Sequence, residues 1–306
     1  MSVPLYQLPE QQPSVWQPTS VEEAMRMKHK WGDDSVLIAG GTWLRTRWEN
    51  GHSPLPQHLI SLGNISSLSG LTIDSLGRIH IGPALCLADL MKNELVRQRC
   101  GLLVQACSEI AAPSVRNLAS IGGNVMSRTG DLIPVLLVMD AQIICSDGQN
   151  ERSIALMEWL GSPISSQNEV MTGIVVPMAA QMNAEEGSSY EFYLKVGRRE
   201  AFTPSVVTVA GRLEIGTDGT LTSIALAAGG GSAVPARFKD LEAAAMGQPL
   251  TKELLKYLHK GVFAELDAVA DDYAGVTYRK QTAANLIVSE CYKAWQKGGG
   301  ADAPRS

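Results

Sequence analysis

The chain of 306 residues is long enough for two domains, at roughly 100 to 200 residues each, so a substantial core can form without disulfide staples. Apolar residues at 45%, charged residues at 19% and 29 glycines describe a globular protein, and a net charge of −5 leaves no basic footprint for nucleic acid. The five cysteines (Cys86, Cys100, Cys107, Cys145 and Cys291) contain no C-x-x-C pair, which excludes a disulfide framework and a zinc or iron–sulfur site, so redox work here would need an organic cofactor. Met1 to Gln12 shows no basic start followed by an apolar stretch. The longest apolar run, Leu132 to Met139, contains Pro134 and falls far short of the roughly 20 residues that span a bilayer. A cytoplasmic protein without a membrane span is expected.

Along the chain, Ser20 followed by Glu23 is a capping-box signature, and Val21, Ala24, Met25 and Lys28 lie on one stripe of the helix it opens. Val36 to Ala39 predicts a buried strand stopped by the turn Gly40-Gly41-Thr42, and Leu59 to Leu62 predicts a second strand. Leu71 to Asp74 and Arg78 to Ile81 read as a hairpin around Ser75-Leu76-Gly77. Helical stretches follow at 87–98 and 101–111, then a second glycine turn at Ser120-Ile-Gly-Gly-Asn124, then a helix over 131–138 with Pro134 in its first turn. Strands are expected at 141–145 and 170–176. The Ala, Asn, Glu, Gly and Ser between Pro177 and Ser189 mark a loop and a domain boundary. Strands at 190–196, 205–215 and 221–228 come next, then helical spacing from Leu254 to Val269 and a last helix around Leu286 to Trp295, closed by Gly298. Strands first and helices last argue α+β for this half.

Two strand-end turns, Ala39-Gly40-Gly41-Thr42 and Ile121-Gly122-Gly123-Asn124, remove side chains so that backbone N–H groups can converge on an anion such as a pyrophosphate. Both can equally be structural turns, and neither fits the G-x-G-x-x-G or G-x-x-x-x-G-K patterns. Asp131 can accept hydrogen bonds from a ribose or ring, or cap a helix. The histidines show neither metal-ligand spacing nor a nucleophile elbow. Lys195, Arg198, Arg199 and Glu200 read as a solvated charge run, while Trp43, Trp48 and Tyr193 either cover a ring system or pack.

The combination Leu37-Ile-Ala-Gly-Gly-Thr-Trp-Leu44, Arg47, Gly51, Arg116-Asn-Leu-Ala-Ser-Ile-Gly-Gly-Asn-Val125 and Asp131-Leu-Ile-Pro134 resembles the FAD-binding (medium) subunit of the molybdenum hydroxylases, the xanthine dehydrogenase and carbon monoxide dehydrogenase type. Leu59-Ile-Ser-Leu62, Ile79-His-Ile-Gly-Pro83, Lys195-Val-Gly-Arg-Arg199 and Leu226-Ala-Ala-Gly-Gly230 extend the resemblance over nearly the whole chain. It implies an α+β fold: a two-part FAD-binding domain of the vanillyl-alcohol oxidase/PCMH type over 1–180, a C-terminal three-stranded sheet with packed helices over 185–297, and a flexible tail over 298–306.

The resemblance also implies FAD contacts. Leu37, Ile38, Ala39, Gly40, Gly41, Thr42, Trp43 and Leu44 form the first loop, and Ser120, Ile121, Gly122, Gly123 and Asn124 form the second. Asp131 falls on the flavin side, Ile110 and Met171 as walls, and Lys195 near the ring. No catalytic side chain is implied. Molybdenum cofactor and iron–sulfur clusters are expected in two partner subunits, with electrons leaving to NAD⁺ or another acceptor in a xanthine dehydrogenase-like complex. Three departures stand out. Trp43 occupies a position that is usually acidic in bacterial members, the segment from Asn124 to Asp131 is about two residues short, and that from Lys195 to Arg198 is about one short. The alternatives are a free-standing flavin oxidase, against which no histidine lies in either glycine loop, and a flavin-free structural or assembly subunit.

Overall fold

Three sheets formed in turn along the chain organise the computed structural model of this protein, which describes residues 12–163, 169–178, 187–197 and 204–297. Strand β1 (Ser14–Trp16) leads into helix α1 (Val21–Trp31). The capping signature is realised: Ser20 Oγ accepts the Glu23 N–H at 3.1 Å, and the Glu23 carboxylate accepts the Thr19 N–H at 2.9 Å. Lys28, on the same stripe as the buried Ala24 and Met25, donates from its ammonium to the carbonyls of Gly32 and Ser35 at 2.7 Å each. Burial lowers its pKa, and the carbonyl-rich end of the helix is where a cation is best tolerated. Strand β2 (Ser35–Ile38), helix α2 (Thr42–Glu49) and strand β3 (His58–Ser61) complete a parallel sheet of order β1-β3-β2 over a small core that includes Met25, Ile60, Ile65 and Leu68.

Strands β4 (Leu71–Ile73) and β5 (Ile79–Ile81) form the expected hairpin. The single helix expected over 87–98 is two, α3 (Leu87–Lys92) and α4 (Glu94–Arg99). Asn93 takes an extended backbone and its side chain accepts the Val96 N–H at 3.3 Å, a local bond that competes with helix continuation. Helices α5 (Gly101–Glu109), α6 (Pro113–Arg116), α7 (Ile121–Met126) and α8 (Ile133–Val138) follow. The second glycine turn is therefore the first turn of α7, capped by Ser120. Glycine is tolerated there because Gly122 lies against Pro83, whose Cβ an added methyl would meet at 2.5 Å. Strand β6 (Gln142–Ser146), strand β7 (Glu151–Ala155), helix α9 (Leu156–Gly161) and strand β8 (Val170–Val176) close an antiparallel sheet of order β4-β5-β8-β6-β7.

The three long strands expected after this point are β9 (Gly187–Gly197), β10 (Ser205–Gly216) and β11 (Leu221–Gly229), and the two-residue β12 (Ala236–Arg237) adds a fourth at one edge. Helices α10 (Lys239–Ala245), α11 (Lys252–Glu265) and α12 (Val276–Lys297) complete an α+β fold. The helical spacing that reaches Val269 in sequence stops at Glu265, because Leu266 turns extended and Ala268 bridges to Ala233. The last helix begins at Val276, well before Leu286. The expected boundary loop falls largely on 179–186, and with Arg198, Arg199, Glu200 and the tail it lies outside the described residues. Among the described residues no helix is long and apolar enough to cross a membrane.

The last sheet is a shared wall. Tyr193, Ala210, Ala225 and Ala227 face the core of the first half, while Phe192, Val207, Val209, Leu226 and Ala228 face α10, α11 and α12. The alanines let α8 approach closely, and α8, buried at all six positions, is apolar all round because protein covers every side of it. At its C-terminal end the buried Arg237 donates to the Leu137 carbonyl at 2.7 Å, to Asp140 at 2.6 Å and to Glu242 at 2.8 Å. Replacing Arg237 by Met leaves Glu242 buried without its cation and should cost about 3–5 kcal/mol, read as a lowered Tm in thermal unfolding of the purified chain.

Burial also governs the thiols. It pushes Cys100 and Cys145 up to about 11 and Cys107 and Cys291 up to about 12, and Cys86 alone is not fully buried. Iodoacetamide at neutral pH should therefore modify Cys86 alone in the folded chain and all five cysteines in denaturant, as intact mass will show.

Candidate functional site

Strand β2 delivers Ala39-Gly40-Gly41 to the start of α2, and the two glycines there have different reasons. Gly41, the N-cap, has φ 67°, a left-handed conformation that glycine adopts at least cost. Gly40 lies on the backbone of Leu118, so that a Cβ would sit 1.7 Å from the Leu118 carbonyl oxygen. No side chain caps α2, and its first hydrogen bond runs from the Arg45 N–H to the Gly41 carbonyl at 2.8 Å. The amides of Thr42, Trp43 and Leu44 thus form a positive helix end available to an anion. Trp43 is 43% exposed, with the Arg47 guanidinium 4.8 Å from its ring centroid.

The contact at Leu118 joins this loop to the second motif. There Ser120, Ile121 and Gly122 are buried and Gly123 is exposed, with its N–H donating to Ser120 Oγ at 3.1 Å. Asn124 faces onward along the chain: its Oδ1 accepts the Leu132 N–H at 3.0 Å, which fixes the backbone beside Asp131. Gly130 makes room for it, since a Cβ there would meet that oxygen at 2.2 Å.

Asp131 meets the second half of the chain. The Lys195 ammonium lies 2.9 Å from Asp131 Oδ2, with both side chains largely buried, and donates to the Glu109 carbonyl at 3.1 Å. Ser205 donates to Asp131 Oδ1 at 2.6 Å. Ile110 follows Glu109 at the end of α5 and is buried. Arg116, from the second motif, donates to the carbonyls of Ser108, Ile110 and Ala111 at 3.1, 2.7 and 2.6 Å, holding Ala111 at φ 44°, a conformation costly for a residue with a Cβ. The Tyr193 hydroxyl, one of the few buried polar atoms without a partner among the described residues, is driven well above its usual pKa by burial, with the charges of Asp131 and Glu109 adding. Burial likewise raises the pKa of Glu109, and Lys195 opposes it.

The structure therefore gathers the first loop, the second loop, Asp131, Ile110 and Lys195 into one strip. Leu37 and Ile38 sit half-buried on β2 at its upstream end, and Met171 is buried in the main core on β8, a strand that contacts α7. Ser205 and the Glu109 carbonyl belong to the strip without any local signal in the sequence: Ser205 reaches Asp131 only through the register of β10 on β9, and a carbonyl carries no residue preference.

Residues 10–179 match the family described as FAD binding domain in molybdopterin dehydrogenase, and residues 192–294 match the CO dehydrogenase flavoprotein C-terminal domain. The chain belongs to the FAD-binding family of the molybdopterin dehydrogenases. Its relatives in this family include the nicotinate dehydrogenase FAD-subunit of Eubacterium barkeri, 24% identical over 87% of this chain and 90% of the relative. The carbon monoxide dehydrogenase medium chain of Hydrogenophaga pseudoflava is 27% identical over 92% and 96%. The xanthine dehydrogenase FAD-binding subunit of Escherichia coli O157:H7 is 24% identical over 84% and 89%. A solved structure of the Hydrogenophaga pseudoflava carbon monoxide dehydrogenase superposes with a TM-score of 0.83 at 24% identity, covering 94% of this chain and 99% of that one, and so shares the fold. The protein is an oxidoreductase component whose cofactor is FAD.

The residues present fit that group. An uncapped helix start, a loop whose glycine permits backbone-to-backbone approach, an exposed Gly123 and a buried ammonium at the far end match a pyrophosphate followed by an electron-accepting ring. A Gly40→Ala chain cannot keep Leu118 in place and should retain less than about a tenth of its FAD, the loss expected from a few kcal/mol of strain, as the flavin absorbance after reconstitution will report.

Proposed function

We propose that this chain is the flavoprotein component of a molybdenum hydroxylase complex of the xanthine dehydrogenase type, receiving electrons from an iron–sulfur partner subunit and passing them to NAD⁺ or another acceptor. The molybdenum cofactor and the iron–sulfur clusters belong to two partner subunits in this reading. The observation that carries it is the unbroken run from the start of α2, through the Gly40–Leu118 contact and Asn124, to the Asp131–Lys195 pair. FAD, when bound, supplies the capacity to take up single electrons and release a pair.

Each part of the strip then has a task. The uncapped amides at the start of α2 hold the pyrophosphate, the side-chain-free surface at Gly123 lets it lie close against the second loop, and Ile110 excludes water beside the ring. Asp131 and the Glu109 carbonyl hold the Lys195 ammonium in one place, where its positive charge favours a reduced, anionic ring. No side chain needs to act as a general base. The partner that carries molybdenum sets the substrate. The Escherichia coli relative supports a purine, and the names of the nicotinate and carbon monoxide relatives mark the competing substrates.

Purification of the native complex tests this. Expected are a flavin spectrum, two co-purifying subunits carrying molybdenum and iron, and NADH formation that depends on xanthine. Turnover of nicotinate or carbon monoxide in place of xanthine overturns the purine assignment, and absence of a flavin band after FAD is added overturns the whole reading. In the same complex Lys195→Met should lower the flavin midpoint potential in a spectroelectrochemical titration; an unchanged potential removes the role given to Lys195.

A further inference from the structure

The glycine pair that ends β11 has no part in the strip described above, yet it sits behind it. Gly230 and Gly231 have φ of 79° and 58°. A Cβ on Gly231 would lie 2.5 Å from the Ser205 carbonyl oxygen and 2.7 Å from Arg279 Nη1, and one on Gly230 would lie 2.7 Å from both the Ser205 and Thr208 hydroxyls. The turn, the first residues of β10 and one guanidinium are thus packed into a single knot.

Arg279 enters that knot from the first turns of α12 and is 1% exposed. Its Nη1 donates to the Val206 carbonyl, and its Nη2 lies 2.5 Å from Asp271 Oδ2. Burial opposes the charge on Asp271, but hydrogen bonds from Ser232 Oγ and from the Tyr273 and Ala274 amides, together with Arg279, outweigh it and hold the carboxyl at about 2. The third guanidinium nitrogen, Nε, finds no partner among the described residues, nor does the Thr208 hydroxyl. Burying a cation and leaving one of its donors unpaired is costly, so core filling alone does not explain an arginine at this place. What the guanidinium does that an apolar side chain cannot is to hold the carbonyl one residue after Ser205, the residue that donates to Asp131 on the opposite side.

We infer that Arg279 is a positioning residue for Lys195: by gripping Val206 it fixes Ser205, Ser205 fixes Asp131, and Asp131 holds the ammonium. The link from Lys195 to the flavin rests on the function proposed above; the link from Arg279 to Lys195 does not. Releasing Val206 frees Ser205 and lets the ammonium exchange its buried partner for water.

Competitive labelling of lysines with acetic anhydride in the full-length chain, read by mass spectrometry, reports this directly. In Arg279→Met, Lys195 should acetylate about fivefold faster or more, the factor that corresponds to about 1 kcal/mol of lost coupling. Lys28, buried on α1, should keep its wild-type rate and serves as the internal control for unfolding. Arg279→Lys, which can still donate to Val206, should restore most of the protection. An unchanged Lys195 rate, or a parallel rise at Lys28, overturns the inference. The flavin potential separates the two ideas. If Lys195→Met leaves the potential of the complex unchanged while Arg279→Met still exposes Lys195, the role of Lys195 at the ring fails and the positioning stands. If labelling is unchanged, the positioning fails whatever the potential does.

Discussion

A contact between two stretches of bare backbone underlies the rest of the site. Gly40 rests on the Leu118 carbonyl at a separation no side chain permits, and this joins the end of a strand in the first sheet to the loop that enters α7. Once they are joined, the start of α2 and the start of α7 must lie side by side. The start of α2 is uncapped, whereas the amides of Ile121, Gly122, Gly123 and Asn124 already donate to Leu85, Pro83 and Ser120, so the second motif contributes close packing and an exposed Gly123 rather than donors. Together they make a ledge, and the Asn124 side chain extends it to Asp131 by tying down the next amide. The ordering force along this ledge is hydrogen bonding between fixed backbone groups, which costs little reorganisation when a cofactor arrives.

The other end of the ledge is electrostatic. A lysine and an aspartate that are both largely buried gain little net stability from each other, since desolvation consumes most of their attraction. Their value is geometric. Lys195 comes from the second half of the chain and Asp131 from the first, so the pair places one positive charge at the seam and allows it few alternatives. Ser205 adds a donor to the carboxylate and the Glu109 carbonyl an acceptor to the ammonium, which makes the arrangement a network rather than a lone ion pair.

Much of this was legible in the residues. Glycines after an apolar strand, Ser120 ahead of a second glycine pair, and Ser20 with Glu23 announce local geometry that depends on near neighbours only, and local rules describe such segments well. The helix break at Asn93 is local too, but an apolar spacing that runs through it hides the cap. Other features depend on pairing across the chain. Arg279 lies in the polar run Tyr278-Arg-Lys-Gln281, which reads as a solvated face until α12 is laid against the start of β10. Ala268 belongs to an apolar repeat that looks helical, and only its bridge to Ala233 shows the segment to be extended. Helix α2 has no buried residue at all, so hydrophobic periodicity had nothing to detect there.

Helix α8 has a consequence for mechanics. Two halves of a chain joined by a thin polar interface hinge by default, and only a broad apolar one suppresses that motion. Here the seam contains an entire helix with no polar face, clamped between α5 on one side and β10 and β11 on the other. Opening the seam would bring that helix into water, so the halves translate and rotate as one piece. The Lys195 ammonium on one half and the Asp131 carboxylate on the other therefore keep a constant spacing, because the seam that separates them cannot open without wetting that helix.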